Sequence, residues 1–197
     1  MDGAEATLAR VPFWYLRHGE TDWNARNLSQ GNVDIPLNAN GIAQAAAAAA
    51  ALRGRGIATI VSSPLSRAHR TAEIVAAALA LPVAVDPDLR EVAFGVQEGQ
   101  PMSDWFADWM AGIATPEGAE SFAALRARAV GAINRAVARP SPVLVVAHGA
   151  LFRALRTAMG MEATSRTRNG VPFWCAPGPV GGAWALTPAE SGASLAM

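Results

Sequence analysis

Two short apolar runs in this chain each stop abruptly at a histidine followed by a glycine. Residues 11–16, Val-Pro-Phe-Trp-Tyr-Leu, run into Arg17-His18-Gly19-Glu20, and residues 143–147, Val-Leu-Val-Val-Ala, run into His148-Gly149. Five or six apolar residues in a row, aromatic and β-branched, with no polar alternation, read as strands buried on both faces. Such strands need helices above and below them. Helical pattern covers 40–53, closed by Gly54 and Gly56, and a short strand falls at 58–61. A second helix spans 65–80, with Pro64 where proline is tolerated, and Pro-Val-Ala-Val at 82–85 gives another strand. Residues 86–100 read as a loop, 117–139 as a long helix, and a last helix follows the second His-Gly to about residue 159. The alternation predicts an α/β fold in three layers: a mostly parallel sheet flanked by helices on both faces, with a small helical cap insertion. Ligands of such folds bind outside the strand ends, where both histidines fall.

Composition narrows the chemistry. The chain has 197 residues and no net charge, with sixteen basic side chains, all arginine, against sixteen acidic ones. A neutral balance argues against nucleic-acid or anionic-membrane binding. Without lysine there is no Schiff base and no Walker-type phosphate loop. One cysteine, Cys175, and three histidines, His18, His69 and His148, are too few for a Cys/His zinc site or a disulfide framework. The N-terminal residues lack the basic-then-apolar order of a signal peptide, and no run approaches the roughly 18 apolar residues of a membrane span. The expectation is a cytoplasmic protein of one domain, 1–197, its cap at about 86–126, with a homodimer left open. Seven consecutive alanines at 45–51 read as filler at tolerant helix positions.

Three clusters carry chemistry. Arg17-His18-Gly19-Glu20-Thr21 sets an imidazole beside a guanidinium, followed by a glycine that lets the backbone approach a ligand closely. In Ser62-Ser63-Pro64-Leu65-Ser66-Arg67-Ala68-His69-Arg70, Arg67 falls in the first turn of a helix, where anions are attracted and a guanidinium adds a bidentate grip. The third is Ala147-His148-Gly149. A lone strand-end histidine is usually a satisfied structural residue. Two in the same context, with arginines and without lysine, point to a phosphoryl group.

The stretches LRHGETDWN (16–24), SSPLSRAHRTA (62–72), LREVAFGVQEG (89–99) and VVAHGALFRAL (145–155) resemble, in order and spacing, the histidine phosphatase superfamily, the phosphoglycerate-mutase-like phosphatases. The resemblance runs from about residue 12 to 160. It implies that His18 is the nucleophile that takes the phosphoryl group as a phosphohistidine, and that Arg17, Arg67 and His148 hold the phosphoryl oxygens. It implies Glu91 as the acid that protonates the leaving oxygen, Asn24 and Gln30 at the phosphate site, and Thr21 in the loop that shapes it. No metal and no cofactor are implied. These roles suit a transition state that spreads charge over equatorial oxygens, where catalysis is mostly positioning and charge stabilisation. His18 must be neutral to attack, whereas His148 would serve better protonated.

Among rivals for the acid, Glu20 reads as the partner of an arginine, Glu98 as structural, and Asp34 stays a substitute; His69 and Arg70 read as a solvated helix face. Relatives often carry arginine where this chain has Leu28, with Arg26 displaced nearby, tryptophan at Gln97 and an acid at Ala93. These changes fall where the leaving group is expected. The implied activity is a phosphomonoesterase acting on a small phosphorylated metabolite. The alternatives are a cofactor-dependent phosphoglycerate mutase and a non-catalytic phosphate-binding module. The interval 104–121 contains no basic residue, which disfavours retention of a bisphosphate. Trp105, Phe106 and Trp109 read as packing, unless one ring faces the pocket.

Overall fold

A computed structural model describes residues 7–179 and 181–189, so the ends of the expected 1–197 domain lie outside the described residues. The first apolar run forms β1 (Phe13–Arg17) and the second forms β4 (Val143–Ala147), both buried along their whole length. Side chains alternate across a strand. Phe13 and Tyr15 therefore enter one core with Val143, Val145 and Ala147, while Trp14 and Leu16 enter the other with Leu144 and Val146. Between them in sequence come β2 (Thr59–Ser62) and β3 (Val83–Val85). The strands stand in the order β3-β2-β4-β1-β5-β6, and the first four are parallel.

Two strands were not expected. β5 (Pro172–Ala176) runs antiparallel beside β1, and β6 (Ala185–Pro188) closes that edge. Their segment is punctuated by Pro172, Pro177, Pro179 and Pro188 together with three glycines, which hides strand periodicity.

One face of the sheet is covered by α2 (Ala39–Leu52) and α3 (Ser66–Leu79), the other by α5 (Phe122–Val137) and α6 (Gly149–Ala158); α1 (Asp22–Ala25) is a single turn after β1. The Asn38 side chain caps α2 by accepting from the Gly41 N–H at 2.8 Å. The alanine tract is not uniform filler. Ala45, Ala48 and Ala49 are buried with Leu52, and Ala48, Ala49 and Leu52 share a core with Ala68, Ala72 and Ala76 of α3. Small residues on both sides let the two helices approach closely.

The long helix starts at Phe122, not at 117. Pro116 and Gly118 (φ +73°) hold a turn there, and Ser121 supplies the cap by accepting from the Ala124 N–H. Between β3 and α5 the chain leaves the sheet, and the stretch expected to be plain loop holds two 3-10 turns, Pro87–Leu89 and Gly95–Gln97. Beyond them lies the short helix α4 (Trp105–Met110).

Candidate active site

The site follows from strand register. β1 and β4 are parallel neighbours with Arg17 opposite Ala147, so the next residues of each, His18 and His148, emerge side by side. The His18 N–H donates to the Ala147 carbonyl at 3.0 Å, and the two imidazole centroids lie 5.2 Å apart. β2 ends one strand over, which brings the Ser63 hydroxyl to His148 Nε2 at 2.7 Å. The helix after β2 delivers Arg67.

His18 is buried, and its Nδ1 lies 2.7 Å from the Gly19 carbonyl. A carbonyl can only accept, so Nδ1 carries the ring proton and Nε2 of the neutral ring keeps its lone pair. Burial, then the Arg67 and Arg17 guanidiniums, hold His18 well below the usual imidazole range. His148 is held low as well, by burial first and then by Arg67, His18 and Arg17, so this ring too rests neutral rather than protonated. The Ser63 hydroxyl accepts from the Leu65 N–H and can donate to His148 Nε2. With that hydroxyl donating, the His148 proton sits on Nδ1, which is buried and has no hydrogen-bond partner. The Tyr15 hydroxyl fixes the backbone there, donating to the His148 carbonyl at 2.8 Å and accepting its N–H at 3.2 Å.

Both core arginines are pinned from behind. Arg17 donates through Nη1 to the Thr167 carbonyl at 2.7 Å, and burial brings it down to about 10, still charged at neutral pH. A β-carbon at residue 149 would press on this guanidinium, so Gly149 is there for close approach. Arg67 spans the Val33 and Gly31 carbonyls at 2.8 and 2.7 Å. Each keeps a buried Nε without a partner, which leaves donor capacity for an anion.

Beside His18 and the two arginines lies a cavity of about 250 Å³, whose lining includes Arg17, His18, Asn24, Gln30, Arg67 and Glu91; His148, fully buried next to His18, is not part of that lining. Glu91 is the one carboxylate among the described lining residues. Its two oxygens accept from the Ala150 and Leu151 N–H groups at 2.9 Å, satisfying free donors in the first turn of α6. Arg128 of α5 steadies the segment before it, donating to the Asp88 and Arg90 carbonyls at 2.7 and 2.8 Å while paired with Glu120.

Thr21 does not line the cavity. Its hydroxyl accepts from the Asn24 N–H and donates to Gln30 Oε1 at 2.9 Å, which turns the Gln30 amide N–H2 outward. Asn24 Oδ1 accepts from the Thr21 N–H and from Asn169 Nδ2, leaving its own N–H2 free in the same way.

The rival acids are elsewhere. Glu98 accepts from the Asn32 and Phe94 N–H groups, as a structural residue would, and Asp34 accepts from the Ser66 N–H and hydroxyl. Glu20 is not an arginine partner: it accepts from the Asn38 amide at 3.0 Å, beside the α2 cap. His69 and Arg70 lie on an exposed face with Glu73. Leu28 lines the cavity, whereas Arg26, Ala93 and Gln97 do not.

Sequence reasoning missed several residues. Asn169 donates to the His18 carbonyl at 3.0 Å as well as to Asn24, from a segment without recognisable pattern. Phe94, Met102 and Phe106 form an apolar wall; Trp105 packs against Phe94, while Trp109 is fully buried and donates to the Glu120 carbonyl. The positive charge at the cavity beyond Arg17 and Arg67 comes from Arg153 and Arg166, not from the 104–121 interval in which it was sought. Arg153 sits in the VVAHGALFRAL stretch, one turn beyond Gly149, so its spacing could have shown it.

The sequence model of the histidine phosphatase superfamily, branch 1, matches residues 13–172. Among curated proteins, a probable phosphoglycerate mutase of Proteus mirabilis is 38% identical over 169 residues, covering 79% of this chain and 78% of its own; one from Yersinia pestis is 38% identical over 168 residues. Among solved structures, a mycobacterial glucosyl-3-phosphoglycerate phosphatase in complex with VO3 superposes with a TM-score of 0.77 at 32% identity, covering 90% of this chain and 97% of that one. A phosphoserine phosphatase mutant from Entamoeba histolytica in complex with phosphoserine gives a TM-score of 0.76 at 26% identity, with coverage of 91% and 97%.

Proposed function

The chain belongs to the histidine phosphatase superfamily, and on that footing we propose that it is a metal-independent phosphomonoesterase acting on a small phosphorylated metabolite. One observation carries the reading: a neutral histidine with its free nitrogen available, among unsatisfied arginine donors, in a cavity lined by a single carboxylate. His18 Nε2 attacks phosphorus, the P–O ester bond breaks, and the leaving oxygen takes a proton from Glu91. Water then attacks the phosphohistidine and gives a proton back to Glu91, which releases inorganic phosphate and restores His18. Arg17, Arg67, His148 Nδ1 and the amides of Asn24 and Gln30 take the three transferring oxygens. A cavity of about 250 Å³ falls just below the ~300–1,000 Å³ of sites for drug-sized ligands, which suits a small ester. No described helix is long and apolar enough to cross a membrane, and we place the enzyme in the cytoplasm with its phosphorylated substrate as partner.

The test is chemical. Incubated with a labelled phosphate ester in excess chelator and quenched in base, the wild-type protein should carry acid-labile phosphate, and His18→Ala should carry none. Full turnover by His18→Ala would refute the mechanism. Including bisphosphoglycerate in a parallel reaction separates hydrolysis from mutase exchange, the activity named for the curated relatives.

A further inference from the structure

The cluster from Ser62 to Arg70 enters the reaction only through Arg67, yet its second serine stands against the other histidine. Ser63 is fully buried where β2 ends. Its backbone is tied to β4, the N–H donating at 3.0 Å to the carbonyl of Val146, two residues before His148. Its hydroxyl lies 2.7 Å from His148 Nε2 and accepts from the Leu65 N–H at 3.2 Å, in the turn that leads into α3. Strand pairing thus fixes both partners of the contact.

The number of protons available fixes the direction of that contact. A hydroxyl has one proton to give, and the Leu65 contact uses a lone pair, so among the described residues only His148 Nε2 can receive it. If Nε2 itself carried the ring proton, two buried groups would go unsatisfied: the Ser63 hydroxyl proton and a bare His148 Nδ1. With the hydroxyl donating, only the Nδ1–H is left unpaired, a donor waiting for an acceptor. Tyr15 does not make this choice, since it holds His148 through the main-chain N–H and carbonyl and not through the ring. The choice matters because phosphoryl oxygens are acceptors: an Nδ1–H attracts them, whereas a bare Nδ1 sets lone pair against lone pair. A ring carrying both protons would escape the choice. His148 is kept from that state by burial, by the Arg67, Arg17 and Arg128 guanidiniums and by the His18 ring, while the carboxylate of Glu91 is taken up by the first-turn N–H groups of α6.

We propose that Ser63 is a positioning residue of the reaction: its hydroxyl donates to His148 Nε2 and so holds the neutral ring with its proton on Nδ1, as a donor to the transferring phosphoryl group. This rests on the phosphatase reading above. The test is read on the ring itself, by NMR of protein labelled with 15N-histidine at pH 7.5, where the protonated and the bare nitrogen of a neutral imidazole resonate far apart. With three histidines in the chain, His69→Gln and His18→Ala assign the signals. Wild-type His148 should show a protonated Nδ1 and a bare Nε2. Ser63→Ala, which removes the hydroxyl and little volume, should move that ring toward the Nε2-protonated tautomer and lower kcat/KM on an aryl phosphate at least tenfold. Should Ser63→Ala fail to fold, Ser63→Cys carries the same comparison, its thiol being a weaker donor of similar size. An Nε2-protonated ring in the wild type overturns the proposal. So does a Ser63→Ala ring that keeps its tautomer, whatever its rate, or a change of tautomer that leaves kcat/KM within twofold. If no ester is hydrolysed and His18 takes no label, the phosphatase reading fails by itself. The dissociation constant for inorganic phosphate then replaces kcat/KM: a tenfold loss in Ser63→Ala alongside the change of tautomer upholds the role of Ser63, and equal values sink it.

Discussion

Arg67 shows how much of this site is geometry rather than charge. Its guanidinium bridges two backbone carbonyls of the 31–33 loop and keeps a buried Nε for a ligand, a span that a lysine ammonium cannot make. Arg67→Lys should therefore lower kcat/KM by more than tenfold, at least ~2 kcal/mol of transition-state stabilisation, measured on any accepted ester. Wild-type activity within twofold would place Arg67 outside the reaction. Glu91 has two tasks, accepting from the first-turn N–H groups of α6 and facing the cavity. Glutamine keeps one accepting oxygen and cannot supply the proton. Glu91→Gln should then slow alkyl esters, whose alkoxide leaves poorly, far more than an activated aryl phosphate. Equal losses on both would remove Glu91 from the acid role.

Between elements, the loop after β1 fits closely, backbone against backbone, on the start of α2. A β-carbon on Gly19 would collide with the Gly41 carbonyl oxygen, and one on Gly41 with the Glu20 carbonyl oxygen. Neither obstacle is a flexible side-chain end, so the backbone itself must shift. Gly41→Ala is expected to cost about 2 kcal/mol, or roughly 4–8 °C in Tm, by thermal unfolding. Because Gly19 adjoins His18, kcat should fall with it. A variant with unchanged Tm and rate would show that the two segments are free to part. Arg128 plays the matching role on the other face, tying α5 to the segment that carries Glu91.

For the whole molecule, two neutral histidines buried in one site make stability depend on pH. Burial and neighbouring guanidiniums hold His18 and His148 well below the ordinary imidazole range, whereas in the unfolded chain both titrate near ~6.5. Below that pH the unfolded state takes up protons that the native state refuses, so acid favours unfolding; above it both states are neutral and the dependence vanishes. Stability should be flat from pH 8 to 7. It should then fall as pH drops through 6.5, by up to about 1.4 kcal/mol per pH unit for each histidine, until the native rings begin to protonate. Urea denaturation at pH 7.5 and 5.5 measures this, and equal stabilities at the two values would refute neutral resting imidazoles.

What the sequence by itself determined is local. Unbroken apolar runs demanded strands covered on both faces, and the residues at their ends, His18, His148 and Arg67, are fixed by the chain to follow those strands. Glu91, Asn24 and Gln30 came from motif resemblance, and they line the same cavity. Strand order and register are long-range choices, and only they set Arg17 opposite Ala147 and so His18 beside His148. The charge states of the two rings were equally out of reach, since they depend on burial and on guanidiniums distant in sequence; the chemistry alone favoured a protonated His148, whereas burial and the Arg67 guanidinium push that ring toward the neutral form. Asn169, Arg166 and β5 come from a proline- and glycine-broken segment whose role exists only once the sheet closes over it. A hydrogen bond between residues some 150 positions apart has no periodicity to betray it.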